Sequence, residues 1–163
     1  MRLLIVRHAI AVEQAPGLPD ADRALTPDGE RRFREAARGL AAILPPPDAL
    51  LTSPWRRARQ TADLAAEVWG RPRPQETPAL AGGTFEELAE ALDRHRRKKL
   101  VAVVGHEPWL SALLARLLGT PHDDRLAFKK GGAALVEVPG GLAAGGSLVW
   151  FVTPRLLRAF GES

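Results

Sequence analysis

Two short apolar runs, each stopping at a histidine, constrain this chain more than anything else in it. Leu3-Leu4-Ile5-Val6 ends at Arg7-His8, and Leu100-Val101-Ala102-Val103-Val104 ends at Gly105-His106. Short apolar runs rich in branched residues read as buried strands. In open α/β sheets, ligands collect beyond the carboxyl ends of strands, so both histidines are directed to one edge. An imidazole can attack, bind or shuttle a proton. A guanidinium forks onto an oxyanion, phosphate above all. The two runs together predict a built site for an anionic substrate.

Between them the chain alternates strand and helix signals. Thr26-Pro27-Asp28 starts a helix with threonine as N-cap and proline at the first helical position. Its apolar stripe is Phe33, Ala36, Ala37, Leu40 and Ile43, and Pro45-Pro46-Pro47 ends it. Residues 48–52 read as a second strand. Ser53-Pro54 then caps a helix that buries Trp55, Ala58, Ala62, Ala65 and Val68. Residues 71–83 form a Pro/Gly-rich loop, and Thr84 with Glu87 makes a capping box for another helix. A further helix spans 108–118 and stops at Gly119, and 133–138 and 147–152 read as two late strands. The order predicts a single domain over 1–163, a three-layer α/β/α fold with a largely parallel central sheet. The late strands are left free to pair antiparallel at one edge.

Composition narrows the classes. With 163 residues and 45% hydrophobic side chains the chain has enough apolar material for a core. There is no cysteine, which removes disulfides and thiolate metal sites. No apolar stretch approaches the ~20 residues of a membrane span, and Met1-Arg2 leads directly into a strand rather than a signal peptide. The expectation is a cytoplasmic protein with no membrane partner. The net charge of +4 raises nucleic acid as a partner. The only basic run, Arg94-His95-Arg96-Arg97-Lys98-Lys99, closes a helix, where cations suit the macrodipole, and no aromatic platform accompanies it. No nucleic-acid partner is expected.

A third motif is Ser53-Pro54-Trp55-Arg56-Arg57-Ala58-Arg59-Gln60-Thr61, which follows a strand and opens a helix. Free backbone N–H groups there favour an anion, while arginines in a first turn oppose the dipole unless something negative sits beside them. A bound phosphate resolves that conflict.

Arg7-His8, then Ser53-x-Trp55-x-Arg57-Ala58-x-x-Thr61, then Gly105-His106 resembles the histidine phosphatase superfamily, which also holds phosphoglycerate mutases and acid phosphatases. Leu25-Thr26-Pro27-Asp28-Gly29, Gly105-His106-Glu107-Pro108, Lys129-Lys130-Gly131-Gly132-Ala133 and Trp150-x-x-Thr153-Pro154 resemble the small SixA-type phosphohistidine phosphatases. The resemblance spans nearly the whole chain, without the long insertions of the mutases.

The resemblance implies that His8 is the nucleophile and becomes a transient phosphohistidine, with Arg7, Arg57 and His106 holding the phosphoryl oxygens. Ala58 and Thr61 set the register that selects Arg57 over Arg56 and Arg59, which read as surface residues. Two guanidiniums and an imidazole need no metal, so no cofactor is expected. Two readings stay open for Glu107: a proton donor, as in some acid-phosphatase relatives, or a helix-start acid. Lys129 and Lys130 either line the substrate mouth or lie on an exposed loop. His95 reads as solvated, and no motif surrounds His122.

The mutase-like relatives carry a glutamate general acid in the region of residues 71–83, where this chain has only Glu76 and no motif around it. An alkoxide leaving group needs a proton, whereas an imidazole nitrogen protonates near neutral pH by itself. The missing acid favours a nitrogen–phosphorus substrate. The expected partner is a phosphorylated protein such as a phosphotransfer domain. The alternatives are a small phosphomonoester or a non-catalytic phosphate-binding module. The oligomeric state is not legible.

Overall fold

The computed structural model describes residues 1–162. One six-stranded sheet runs through it: β1 (Arg2–Arg7), β2 (Ala49–Thr52), β3 (Gln75–Glu76), β4 (Leu100–Gly105), β5 (Ala133–Glu137) and β6 (Ser147–Val152). The spatial order is β3-β2-β4-β1-β5-β6. β1 to β4 are parallel, and β5 and β6 finish one side in antiparallel pairing, as the sequence pattern allowed.

Five helices cover both faces: α1 (Pro27–Ile43), α2 (Arg56–Trp69), α3 (Phe85–Asp93), α4 (Trp109–Leu118) and α5 (Pro154–Gly161). Side chains alternate along β1. Leu4 and Val6 join Phe33, Leu40, Ala58, Ala62 and Leu157 on one face. Leu3 and Ile5 join Leu80, Leu88, Leu110, Leu114 and Phe128 on the other. Because both faces are covered there, the central strands β1, β2 and β4 are uninterrupted apolar runs rather than alternating ones. No helix is long and apolar enough to cross a membrane among the described residues.

Local signals fix most boundaries. The Thr26 hydroxyl accepts the Gly29 N–H at 2.9 Å, with Pro27 at the first position of α1. Thr84 and Glu87 form the expected capping box on α3. Gly119 ends α4 at φ 65°, a left-handed conformation that disfavours a side chain. Gly39 serves a close approach instead. A Cβ there would lie 1.8 Å from the Leu157 carbonyl, so α1 and α5 touch backbone to backbone.

Several expectations need correction. Ser53-Pro54 does not cap α2: its N-cap is Trp55, with no side-chain cap bond, and Ser53 is engaged elsewhere. Ile43 is 39% exposed, and the next residue, Leu44, is buried in the core in its place. The run from Arg94 begins only at the C-cap of α3, so most of it lies in turns beyond the helix. Residues 75–76, read as loop, form the short edge strand β3, and α5 was not foreseen.

Candidate active site

The parallel strands carry the site at their carboxyl ends. Arg7 pairs with Gly105, so His8 and His106 leave β1 and β4 at the same level. His8 is 5% exposed. Its Nδ1–H donates to the Ala9 carbonyl at 2.7 Å, which leaves Nε2 as the lone-pair nitrogen. Arg57 Nε donates to that nitrogen at 3.2 Å. Burial above all lowers the His8 pKa. The Ala9 bond opposes the shift, and the charges of His106, Arg57 and Arg7 add to it, bringing it to about 3. His8 is therefore held neutral across the physiological pH range.

His106, 8% exposed, follows β4. Its Nε2 lies 2.7 Å from the Ser53 hydroxyl, which accepts the Trp55 N–H at 3.2 Å. In the tautomer in which Ser53 Oγ gives its proton to Nε2, His106 Nδ1 is the N–H. That Nδ1 is buried without a hydrogen-bond partner. Burial first, then Arg57, brings the His106 pKa down to about 4, with Asp20 opposing. The two imidazole centroids are 5.1 Å apart, and the Trp55 ring lies 4.8 Å from His106.

Two guanidiniums complete the pocket. Arg7 Nη1 donates to the Phe128 carbonyl at 2.6 Å, while its Nε is buried without a partner. Arg57, in the first turn of α2, donates through Nη1 to the Asp20 carbonyl at 2.6 Å and through Nη2 to Asp20 Oδ2 at 3.2 Å. Burial lowers both arginine pKa values, with Glu107 opposing for Arg7 and Asp20 for Arg57. Both remain cations, since arginine keeps its proton in proteins. A neutral nucleophile faced by two guanidiniums and an imidazole N–H is suited to an oxyanion that must be attacked.

A family model for the histidine phosphatase superfamily (branch 1) matches residues 3–90. The chain belongs to that superfamily. Membership together with its SixA structural neighbours supports a phosphatase hydrolase. A relative from Picosynechococcus sp. is 35% identical over 136 residues, covering 81% of this chain and 82% of that one. The protein histidine phosphatase SixA, solved with tungstate, superposes with a TM-score of 0.83 at 25% identity, over 96% of this chain and 99% of that one. An alpha-ribazole phosphatase from Shigella flexneri shares the fold at TM-score 0.70 and 19% identity, over 94% of this chain and 97% of that one.

In this member of the superfamily, Arg7, His8, Arg57 and His106 converge, as the motif spacing implied. Arg56 and Arg59 are exposed, and Arg59 pairs with Glu76 at 2.9 Å. Glu107 borders the pocket, but both its oxygens face Ser111: Oε1 accepts the Ser111 N–H at 3.0 Å and Oε2 its hydroxyl at 2.6 Å. That is the geometry of a helix-start acid. His122 Nε2 lies 2.8 Å from the same hydroxyl. Lys129 and Lys130 are exposed, and His95 is half-buried just before β4, at the opposite end of the sheet. Among the described residues, no three His, Asp or Glu side chains gather as a metal-ligand group.

Sequence reasoning missed three participants. Ser53 was taken for a cap. Asp20 and Arg23 lay in a stretch read as featureless loop, yet they form an ion pair at 2.7 Å on a 3₁₀ turn, Asp20–Asp22, beside Arg57. The i,i+3 spacing of an acid and an arginine was the available signal. Asp20 supplies a negative charge that the arginines in the first turn of α2 demanded.

Proposed function

We propose that this protein removes the phosphoryl group from phosphohistidine on a protein, passing it through His8. The observation that carries this reading is the pair of hydrogen-bonding groups around His8. Arg7 Nε and His106 Nδ1 are buried without partners, which is costly unless an acceptor such as a phosphoryl oxygen meets them.

In the first step the His8 Nε2 lone pair attacks phosphorus, an N–P bond forms, and the bond to the leaving nitrogen breaks. The leaving imidazole departs neutral when its other nitrogen already carries a proton. Arg7, Arg57 and His106 bear the charge on the three equatorial oxygens. In the second step water attacks phosphorus, the electron pair returns to Nε2, and phosphate leaves. No step calls on a metal or an organic cofactor.

The preference for nitrogen over oxygen rests on the acids. Glu107 is bonded through both oxygens to Ser111, and Asp20 is held by two arginines. Glu107 has no oxygen directed at the pocket, and the two arginines keep Asp20 an ionised carboxylate with no proton to give to an alkoxide. A small phosphomonoester remains the second reading, favoured by the fold shared with the alpha-ribazole phosphatase.

The test is turnover of a phosphohistidine protein, an aryl phosphate and an alkyl phosphate side by side, with and without a chelator. The expected order is phosphohistidine and aryl phosphate well above alkyl phosphate, unchanged by chelation. An alkyl or sugar phosphate matching phosphohistidine overturns the substrate assignment, and loss on chelation overturns the metal-free mechanism.

A further inference from the structure

Every nitrogen of Arg57 has an assigned partner. Nε–H points at His8 Nε2, Nη1 at the Asp20 carbonyl, and Nη2 at the Asp20 carboxylate. Asp20 in turn divides its two oxygens. Oδ2 faces Arg57, and Oδ1 accepts Arg23 Nε at 2.7 Å. Arg23 is itself fixed by a 3.0 Å bond from Nη1 to the Val12 carbonyl. Arg57 is 4% exposed at its side chain, whereas Asp20 is 40% exposed, so the acid stands on the solvent side of the guanidinium.

This arrangement has a chemical conflict in it. The lone pair that must reach phosphorus is the one accepting the Arg57 N–H. A lone pair directed into an N–H is not available for in-line attack. The same guanidinium must also bind phosphoryl oxygens, and its terminal nitrogens face a carboxylate and a carbonyl. Both conflicts have one solution, a movement of Arg57 away from His8 and Asp20 together.

We propose that Asp20 is a positioning residue: it holds Arg57 as a cap on the His8 nucleophile, and an arriving phosphoryl group displaces the carboxylate from Arg57 and thereby uncaps His8. This rests on the reading of the pocket as a phosphoryl site. Arg23 keeps the displaced carboxylate close, since Oδ1 stays bonded to it while Oδ2 lets go. Two anions thus alternate on one guanidinium. The carboxylate weakens the hold on any phosphate, including the product, and returns to Arg57 when phosphate leaves.

The experiment titrates inorganic phosphate into the full chain by calorimetry. It also follows the ¹⁵N resonance of His8 Nε2, for the parent protein and for Asp20→Asn. Asparagine keeps the shape and the backbone carbonyl but removes the competing charge. Phosphate is expected to bind about threefold to tenfold tighter to the variant. Without phosphate, its His8 Nε2 resonance is expected already displaced toward the phosphate-bound position of the parent. Asp20→Ala, which deletes the side chain, is expected to show the same two signs, so a folding defect in one variant leaves the test standing.

Unchanged or weaker phosphate binding in the variants, or an unmoved His8 resonance, overturns the role of Asp20. A parent protein that binds no phosphate overturns it together with the phosphoryl-site reading. If the two signs are seen but phosphohistidine is not turned over, the role of Asp20 stands and only the proposed substrate falls.

Discussion

The hydroxyl of Ser53 lies 2.7 Å from Nε2 of His106, joining the ends of two neighbouring strands, β2 and β4. In the tautomer in which Ser53 gives its proton to Nε2, Nδ1 is the donor. Ser53→Ala removes that selection, strips the Trp55 N–H of its acceptor and leaves Nε2 unsatisfied in a buried place. The expected result is roughly a tenfold or greater loss in kcat/KM, with about 1–3 kcal/mol lost in urea unfolding. Full activity in the alanine variant would show that His106 does not depend on Ser53 for its tautomer.

Thr61 braces His8 through Ala9. Its hydroxyl accepts the Ala9 N–H at 3.0 Å and donates to the Arg57 carbonyl at 2.7 Å, and Ala9 in turn accepts from His8 Nδ1. Thr61→Val keeps the volume and removes both bonds. It is expected to cost about 1–3 kcal/mol of stability and to slow turnover, while Thr61→Ser retains most of both. Equal behaviour of the two variants would assign Thr61 to packing alone.

Stability should fall as the solution is acidified. Both buried histidines have lowered pKa values, about 3 for His8 and about 4 for His106. An unfolded histidine takes up its proton near 6.5. Below that pH the unfolded chain binds protons that the folded chain refuses. The loss is about 1.4 kcal/mol per pH unit for each histidine, continuing until the folded values are reached. Above about pH 7.5 the contribution is complete and flat. Urea unfolding from about pH 5 to about pH 8 measures the slope, and His8→Asn should remove one histidine's share of it. An unaltered slope in that variant would mean that His8 is not held neutral.

For Glu107 the bonds to Ser111 predict a structural phenotype. Glu107→Gln weakens the start of α4 and should lower the unfolding midpoint. Its turnover of phosphohistidine should stay within about threefold of the parent. A variant of normal stability that loses alkyl phosphate hydrolysis while keeping aryl phosphate would restore Glu107 as the proton donor.

What was legible in the sequence follows from where the information sits. Arg7, His8 and His106 were readable because each ends or directly follows a strand, so local pattern places it at the sheet edge. Arg57 was singled out from Arg56 and Arg59 only by the resemblance, through the register of Ala58 and Thr61. The capping threonines, Thr26 and Thr84, were readable from local pattern. Asp20 was not, because its partner Arg57 is 37 residues away and the turn that carries it has no periodic signal. Ser53 has the chemistry of a cap, and only the neighbouring strand, 53 residues on, turns its hydroxyl toward His106 instead. β3 is two residues long and exposed, too short for alternation to show. α5 was hidden by its own sequence, whose one buried residue, Leu157, leaves Leu156 and Phe160 exposed.

The pairing of Arg7 with Gly105 fixes a dimension as well as a level. Adjacent strands stand about 4.8 Å apart, and the imidazole centroids that follow them stand 5.1 Å apart. The gap between the two histidines is thus inherited from backbone hydrogen bonding, not set by any loop. Loop changes at 9–25 act on the partners of Arg57 and leave the pairing of β1 with β4 in place. On the proposed reading of this pocket as a phosphoryl site, the sheet gauges the spacing of the two imidazoles, while Asp20 and the loop that carries it adjust the guanidinium between them.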